Sequence, residues 1–113
     1  MTPEQVRQGN LLLTPAKLPP TARMTQRFHS EDGRVVLSHG ETGGSHEFRS
    51  ERVRVWEDGG ETYIEVLGDR PVALEHTTPR HDTAPLNPGT YRFSEAREAP
   101  PPRTGAPPRR SPD

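Results

Sequence analysis

The stretch that decides the fold covers residues 53–67 and reads VRVWEDGGETYIEVL. Its first half alternates apolar and polar side chains with a period of two, which is the pattern of a β-strand with one buried face. Asp58-Gly59-Gly60 then provides a tight hairpin turn, because glycine adopts positive φ angles without steric cost. The second half, from Thr62 to Leu67, is rich in β-branched and aromatic residues and predicts the return strand.

Short segments of the same kind recur on both sides of this hairpin. Turns rich in glycine and proline separate them roughly every 8–12 residues, and no segment has the sustained apolar stripe of an amphipathic helix. We therefore predict an all-β domain, a small antiparallel sandwich or barrel of six to seven short strands with extended termini. The predicted strands outside the hairpin lie at residues 11–13, 35–39, 46–48, 72–76 and 90–93.

Apolar residues are few and unevenly placed. Leu, Ile, Val and Phe account for 19 of the 113 residues, and none of them follows Phe93. This distribution predicts an N-terminal arm with one short helical turn at residues 1–8, a β-domain at residues 9–95, and an extended tail at residues 96–113. A core this small gives marginal stability unless a metal, a partner or self-association adds to it.

The tail is rich in proline and arginine, a composition that favours the extended, solvated polyproline II conformation. It is either a passive disordered extension or an arm that docks on another protein subunit. The arm interpretation assigns partner binding to two Pro-Arg clusters and to Trp56, which lies on the predicted outer face of its strand. Covering by the preceding segment of the chain explains Trp56 equally well. The clusters consist of Pro100, Pro101, Pro102, Arg103, Pro107, Pro108, Arg109 and Arg110.

Charge, cysteine content and hydropathy argue against several classes of protein. The net charge of −1 argues against a nucleic-acid-binding protein. The absence of cysteine excludes disulfides, thiolate zinc sites and cysteine nucleophiles. No apolar run is long enough to span a bilayer and the first residues lack signal-peptide features, so we expect a protein that is cytoplasmic when made. We find no catalytic constellation and expect no enzymatic activity.

Three histidines, His39, His46 and His76, share the parity of the apolar residues in their predicted strands. Pleating would place all three on the core side near strand ends. Three imidazoles with one open position are a common ligand set for a divalent metal such as Zn, Ni or Fe, and His81 or Glu41 would complete it. The alternatives are rim histidines that are singly hydrogen-bonded, with no cofactor bound, and acid–base catalysis.

Several short motifs resemble those of a group of small uncharacterised proteins of bacteria and their phages. That group shows a QGDVLL start, an HGExTGHxH element, and an HxxHAP element that runs into LPPGxY. The resemblance implies functional histidines at the positions of His39, His46, His76 and His81. The corresponding stretches of this chain are QGNLLL at residues 8–13, VLSHGETGGSH at 36–46, LEH at 74–76 and HDTAPLNPGTY at 81–91.

The occurrence of this group in phage genomes favours a role in a virion or its assembly. We therefore predict a non-enzymatic accessory protein whose β-domain and arms dock on the protein subunits of a larger assembly. A decoration or minor virion protein of a phage capsid or tail would fit, either as a homo-oligomer or bound to a lattice of other subunits. The alternative is a histidine-lined module for a divalent metal or small ligand that resembles a degenerate cupin.

Overall fold

The structure, a computed structural model, describes residues 2–39, 45–76 and 83–95. Within these ranges the chain forms ten β-strands and no helix, so the all-β prediction is confirmed and no helix is present that could cross a membrane. The strands are β1 (Val6–Gln8), β2 (Leu11–Pro15), β3 (Arg23–Thr25), β4 (Val35–His39), β5 (Ser45–Phe48), β6 (Val53–Asp58), β7 (Glu61–Val66), β8 (Val72–His76), β9 (Ala84–Leu86) and β10 (Gly89–Glu95).

The strands form two antiparallel sheets. Sheet A has the order β1-β2-β10-β7-β6-β3, and sheet B has the order β4-β5-β8-β9. The two sheets share one hydrophobic core, so the architecture is a sandwich. Sheet A contributes Leu11, Leu13, Val53, Val55, Ile64, Val66 and Tyr91, and sheet B contributes Val35, Leu37, Phe48, Val72, Leu74 and Leu86.

The central hairpin of sheet A turns at Gly59-Gly60, as predicted. Its strands, β6 and β7, pair antiparallel in one continuous register. The two glycines have φ angles of 56° and 84°, a combination that matches the right-handed twist of the flanking strands. This register directs Val55 and Ile64 into the core, where both are fully buried.

Three strands, β1, β3 and β9, raise the count above the six to seven predicted. Each is three residues long, which is too short to display an alternating pattern. β9 contains Pro85 and lies at a sheet edge, where a missing amide donor is tolerated. β1 replaces the helical turn expected within residues 1–8, because its residues pair with β2 and Gln8 is buried.

A β-bulge interrupts the pairing of β4 with β5. The register skips from Val36 to Ser38, so Leu37 is the extra residue. The bulge interrupts the period of two on which the core-side prediction for His39 depends. As a result Ser38, and not Leu37, is the residue of β4 that pairs with His46.

Candidate functional site at the histidine end of sheet B

Two of the four histidines predicted as ligands lie side by side at one end of sheet B. His46 of β5 and His76 of β8 are paired directly across the two strands. Their ring centroids are 4.3 Å apart and their planes are at 83°, which is an edge-to-face contact. His46 is 2% exposed and His76 is half-buried, so the pair lies where the core meets the surface.

Gln8 of β1 fixes the orientation of the His46 ring. Its Nε2 donates to the carbonyl oxygen of Leu74 at 2.9 Å, which turns its Oε1 toward His46. The Nδ1 atom of His46 lies 2.7 Å from that oxygen, and because an amide oxygen only accepts, Nδ1 is the donor. The neutral His46 ring therefore carries its lone pair on Nε2, the nitrogen with which it would coordinate a metal.

The turn between β1 and β2 approaches the same ring. Gly9 has a φ of 62°, in the left-handed region that favours glycine. A Cβ atom at this position would lie 3.5 Å from Cε1 of His46, so any side chain here would contact the imidazole. Sequence reasoning gave Gln8 and Gly9 no role in the site. The available signal was their position at the start of the QGNLLL motif.

Two segments that border this end of sheet B, residues 40–44 and residues 77–82, lie outside the described residues. The first leads into the start of β5, and the second follows the end of β8. Because β5 and β8 are antiparallel and His46 pairs with His76, both segments join the sheet at the end that carries this pair.

The remaining predicted ligands are not among the described side chains. His81 and Glu41 lie in the two bordering segments, and the side chain of His39 is likewise outside the description. Within the described ranges, no group of three or more His, Asp or Glu side chains could hold a metal ion. Metal ligation by His39 and His81 thus stays a prediction beside the observed pair.

The other face of β5 carries a buried carboxylate. Glu47 has no exposed surface and forms ion pairs with Arg34 Nη1 at 2.9 Å and Arg49 Nε at 3.1 Å. The hydroxyl of Ser45 donates a further hydrogen bond to it at 2.8 Å. Burial acts to raise the pKa of Glu47, but the hydrogen bonds from Ser45 and Arg49 and the charge of Arg34 outweigh it and lower this pKa. Glu47 is therefore a buried, ionised structural group on the outer face of sheet B, covered by the two arginines.

We expect Glu47 to make the domain sensitive to acid. A carboxyl whose pKa is lowered by folding stabilises the folded state above its unfolded pKa, and this contribution is lost as the pH falls through the folded pKa. Between roughly pH 7 and pH 3, the free energy of unfolding should therefore fall less steeply in Glu47→Gln than in the wild type. Urea unfolding at successive pH values measures the slope.

The matched control for this prediction is Glu51→Gln. Glu51 is exposed in the turn before β6 and belongs to none of the ion pairs of the described residues, so its variant should keep the wild-type pH dependence. If the Glu47→Gln curve were parallel to the wild-type curve, the ion-pair network would not be the source of the acid sensitivity.

Trp56, predicted to bind a partner, lies on the outer face of sheet A. Its neighbour Val55 is fully buried, so the alternation of the strand directs Trp56 away from the core. The indole Nε1 donates to Glu65 Oε1 at 3.0 Å. β3 pairs Met24 with Trp56, so at this position the preceding segment lies beside the tryptophan as a neighbouring strand. The other predicted partner-binding residues, all in the tail, lie outside the described residues.

Comparison with known proteins finds one family. The family model described as "Domain of unknown function (DUF8820)" matches residues 7–96, a range that includes Gln8, His46 and His76. No curated protein and no solved structure matches the chain significantly.

Proposed function

We propose that this chain, which belongs to the DUF8820 family, binds one divalent metal ion at the end of sheet B that carries His46 and His76. The observation that carries the proposal is the hydrogen bond from His46 to Gln8. In metal sites a ligating histidine almost always donates its second ring nitrogen to an oxygen, which fixes the ring and makes the ligating nitrogen more basic. Gln8 is 5% exposed and meets this requirement for His46.

Two imidazoles alone do not complete the coordination of a metal. The predicted ligands His39 and His81 would add to His46 and His76, with Glu41 as the alternative oxygen ligand. The segments that contain Glu41 and His81 join sheet B at this same end, which supports this set. Imidazole nitrogen suits zinc, nickel and iron, and a chain without cysteine offers no thiolate that would favour softer metals.

The energetics of the fold also favour a bound metal. The core is lean for a chain of this length, and domains that bury little apolar surface commonly gain stability from a metal. Because the ligands must be brought together by folding, the free energy of metal binding adds directly to the free energy of unfolding.

The test is metal binding by the full-length protein. We expect about one Zn²⁺ or Ni²⁺ per chain by mass spectrometry of the dialysed protein, and a visible absorption band when Co²⁺ is bound. His76→Ala removes a half-buried ligand. Loss of a group that only orients a ligand typically lowers metal affinity about 10- to 100-fold, so the affinity of this variant, measured by calorimetry, should fall by at least that much.

The matched control is His29→Ala. His29 is also half-buried, but it forms an isolated β-bridge with Val35, at the end of β4 opposite His39. Its variant should therefore bind metal with the wild-type affinity. A wild-type affinity in His76→Ala, or a full-length protein that takes up no stoichiometric metal, would contradict the proposal.

The accessory role in a larger assembly stays a prediction from composition and resemblance. No contact among the described residues identifies a partner subunit. Sedimentation of the full-length protein tests the predicted homo-oligomer, and a monomer at all concentrations would leave docking on other subunits as the remaining form of that prediction.

A further inference from the structure

The outer face of sheet A carries a row of three adjacent large side chains, Met24, Trp56 and Tyr63, which we call the Trp56 face. They are direct cross-strand neighbours on β3, β6 and β7, and directly paired residues project to the same side of a sheet. The residues of opposite parity, Val55 and Ile64, are fully buried, so the row faces away from the core. Met24 is 51% exposed, although it is a large hydrophobic residue.

The chemistry of this face suits a proline-rich segment. Polyproline II segments dock on surfaces lined by tryptophan and tyrosine, because the proline rings pack flat on aromatic rings. Glu65, which accepts the hydrogen bond from Trp56, and Glu61, whose Oε1 lies 4.0 Å from Nη1 of Arg92, share this side of β7. Both carboxylates lie next to the aromatic rings and have further oxygen lone pairs that an arginine can use. An occupant that combines prolines with a neighbouring arginine would match both features.

We propose that the C-terminal segment of the same chain occupies the Trp56 face through Pro100–Pro102. The 18 residues that follow β10 contain six prolines, four arginines and no large hydrophobic residue. Arg103 directly follows the proline cluster, which places a guanidinium where Glu61 and Glu65 can pair with it.

The position at which this segment begins also favours the contact. β10 ends at Glu95 and lies next to β7, where Arg92 pairs with Tyr63. Trp56 lies three residues back along β10 from Glu95, at the level of Arg92, and two strands across the sheet. At typical β-sheet dimensions the straight-line distance from Glu95 to Trp56 is about 14 Å. The tail leaves β10 in the opposite direction and must first turn back. The seven residues from Glu95 to Pro102 span about 22 Å as polyproline II, which leaves enough length for this turn and for contact with Trp56.

The single tryptophan of the chain is the reporter for this contact. In the full-length variant Pro100→Gly/Pro101→Gly/Pro102→Gly, we expect quenching of Trp56 by acrylamide to rise roughly twofold, because one face of the indole would be uncovered. Its emission should also move to longer wavelength. The matched control, Pro107→Gly/Pro108→Gly/Pro112→Gly, has the same change in composition further along the tail and should leave both readouts at the wild-type values.

Three outcomes would overturn the proposal. Equal quenching in the wild type and the first triple variant would show that the prolines do not cover Trp56, and an equal rise in both triple variants would show that Pro100–Pro102 are not the specific occupant. An intramolecular contact is independent of protein concentration, so protection that is lost on dilution would assign the face to the tail of a second copy. Metal uptake should be the same in all these variants, so the outcome does not depend on the metal proposal.

Discussion

Phe48→Ala should lower the free energy of unfolding by about 3–5 kcal/mol, the usual loss when a buried phenylalanine is truncated. Phe48 has no exposed surface and lies at the centre of sheet B, paired with Val35 on one side and Leu74 on the other. The truncation would leave a cavity between the two sheets that paired strands cannot close by small shifts. Because the total free energy of unfolding of a native protein is only about 5–15 kcal/mol, the variant should be close to unfolding at 25 °C.

Urea unfolding followed by Trp56 fluorescence and by circular dichroism measures this loss. The control is Lys17→Ala, the truncation of an exposed side chain outside the Trp56 face, which should change the free energy of unfolding by less than about 0.5 kcal/mol. A loss below about 1 kcal/mol in Phe48→Ala would be inconsistent with a shared core between the two sheets.

Zinc should raise the melting temperature of the full-length protein by roughly 10–20 °C when the free metal is 100 times its Kd. A ligand that binds only the folded state contributes about 2.7 kcal/mol under this condition, and 1 kcal/mol shifts the melting temperature of a domain of this size by about 4–8 °C. Addition of EDTA should reverse the shift. Differential scanning calorimetry with and without metal measures it.

The Gln8→Ala variant tests whether Gln8 positions His46 for metal binding or only stabilises the fold. This variant keeps His46 and His76 but removes the hydrogen bond to Nδ1, so its affinity for zinc should fall about 10- to 100-fold. The shift in melting temperature should then need correspondingly more metal, whereas His29→Ala should show the full shift at the wild-type metal concentration. A wild-type shift in both Gln8→Ala and His76→Ala would place the metal elsewhere in the protein.

The parts of the fold that sequence reasoning predicted are those in which a pattern is long enough to be distinctive. The β6–β7 hairpin combines six-residue strands with two glycines in the turn, so its register follows from local residues alone. β1 and β3 were missed because three residues cannot show a period, and their pairing depends on partners distant in sequence. The bulge in β4 was missed because Val35, Val36 and Leu37 are all apolar, so either register presents an apolar residue to the core.

The candidate site was predictable only in part, for a similar reason. His46 and His76 share the parity of Phe48 and Leu74, which placed both on the core side correctly. Gln8 was missed because it is 38 residues from His46 in sequence and a single buried glutamine produces no periodic signal. The burial of Glu47 likewise depends on arginines outside its own strand, which alternation cannot reveal.

The side chain of Gln8 joins the two layers of the sandwich. It projects from sheet A, yet both of its described hydrogen-bond partners, Leu74 and His46, belong to sheet B. The proposed binding of metal at His46 would therefore be thermodynamically linked to the attachment of β1 to the opposite layer, and such linkage is reciprocal. Residues 2–5 precede β1, and Asn87 holds them through the carbonyl of Thr2. A molecule that bound this N-terminal segment would then change the affinity for metal without contacting a metal-ligating side chain.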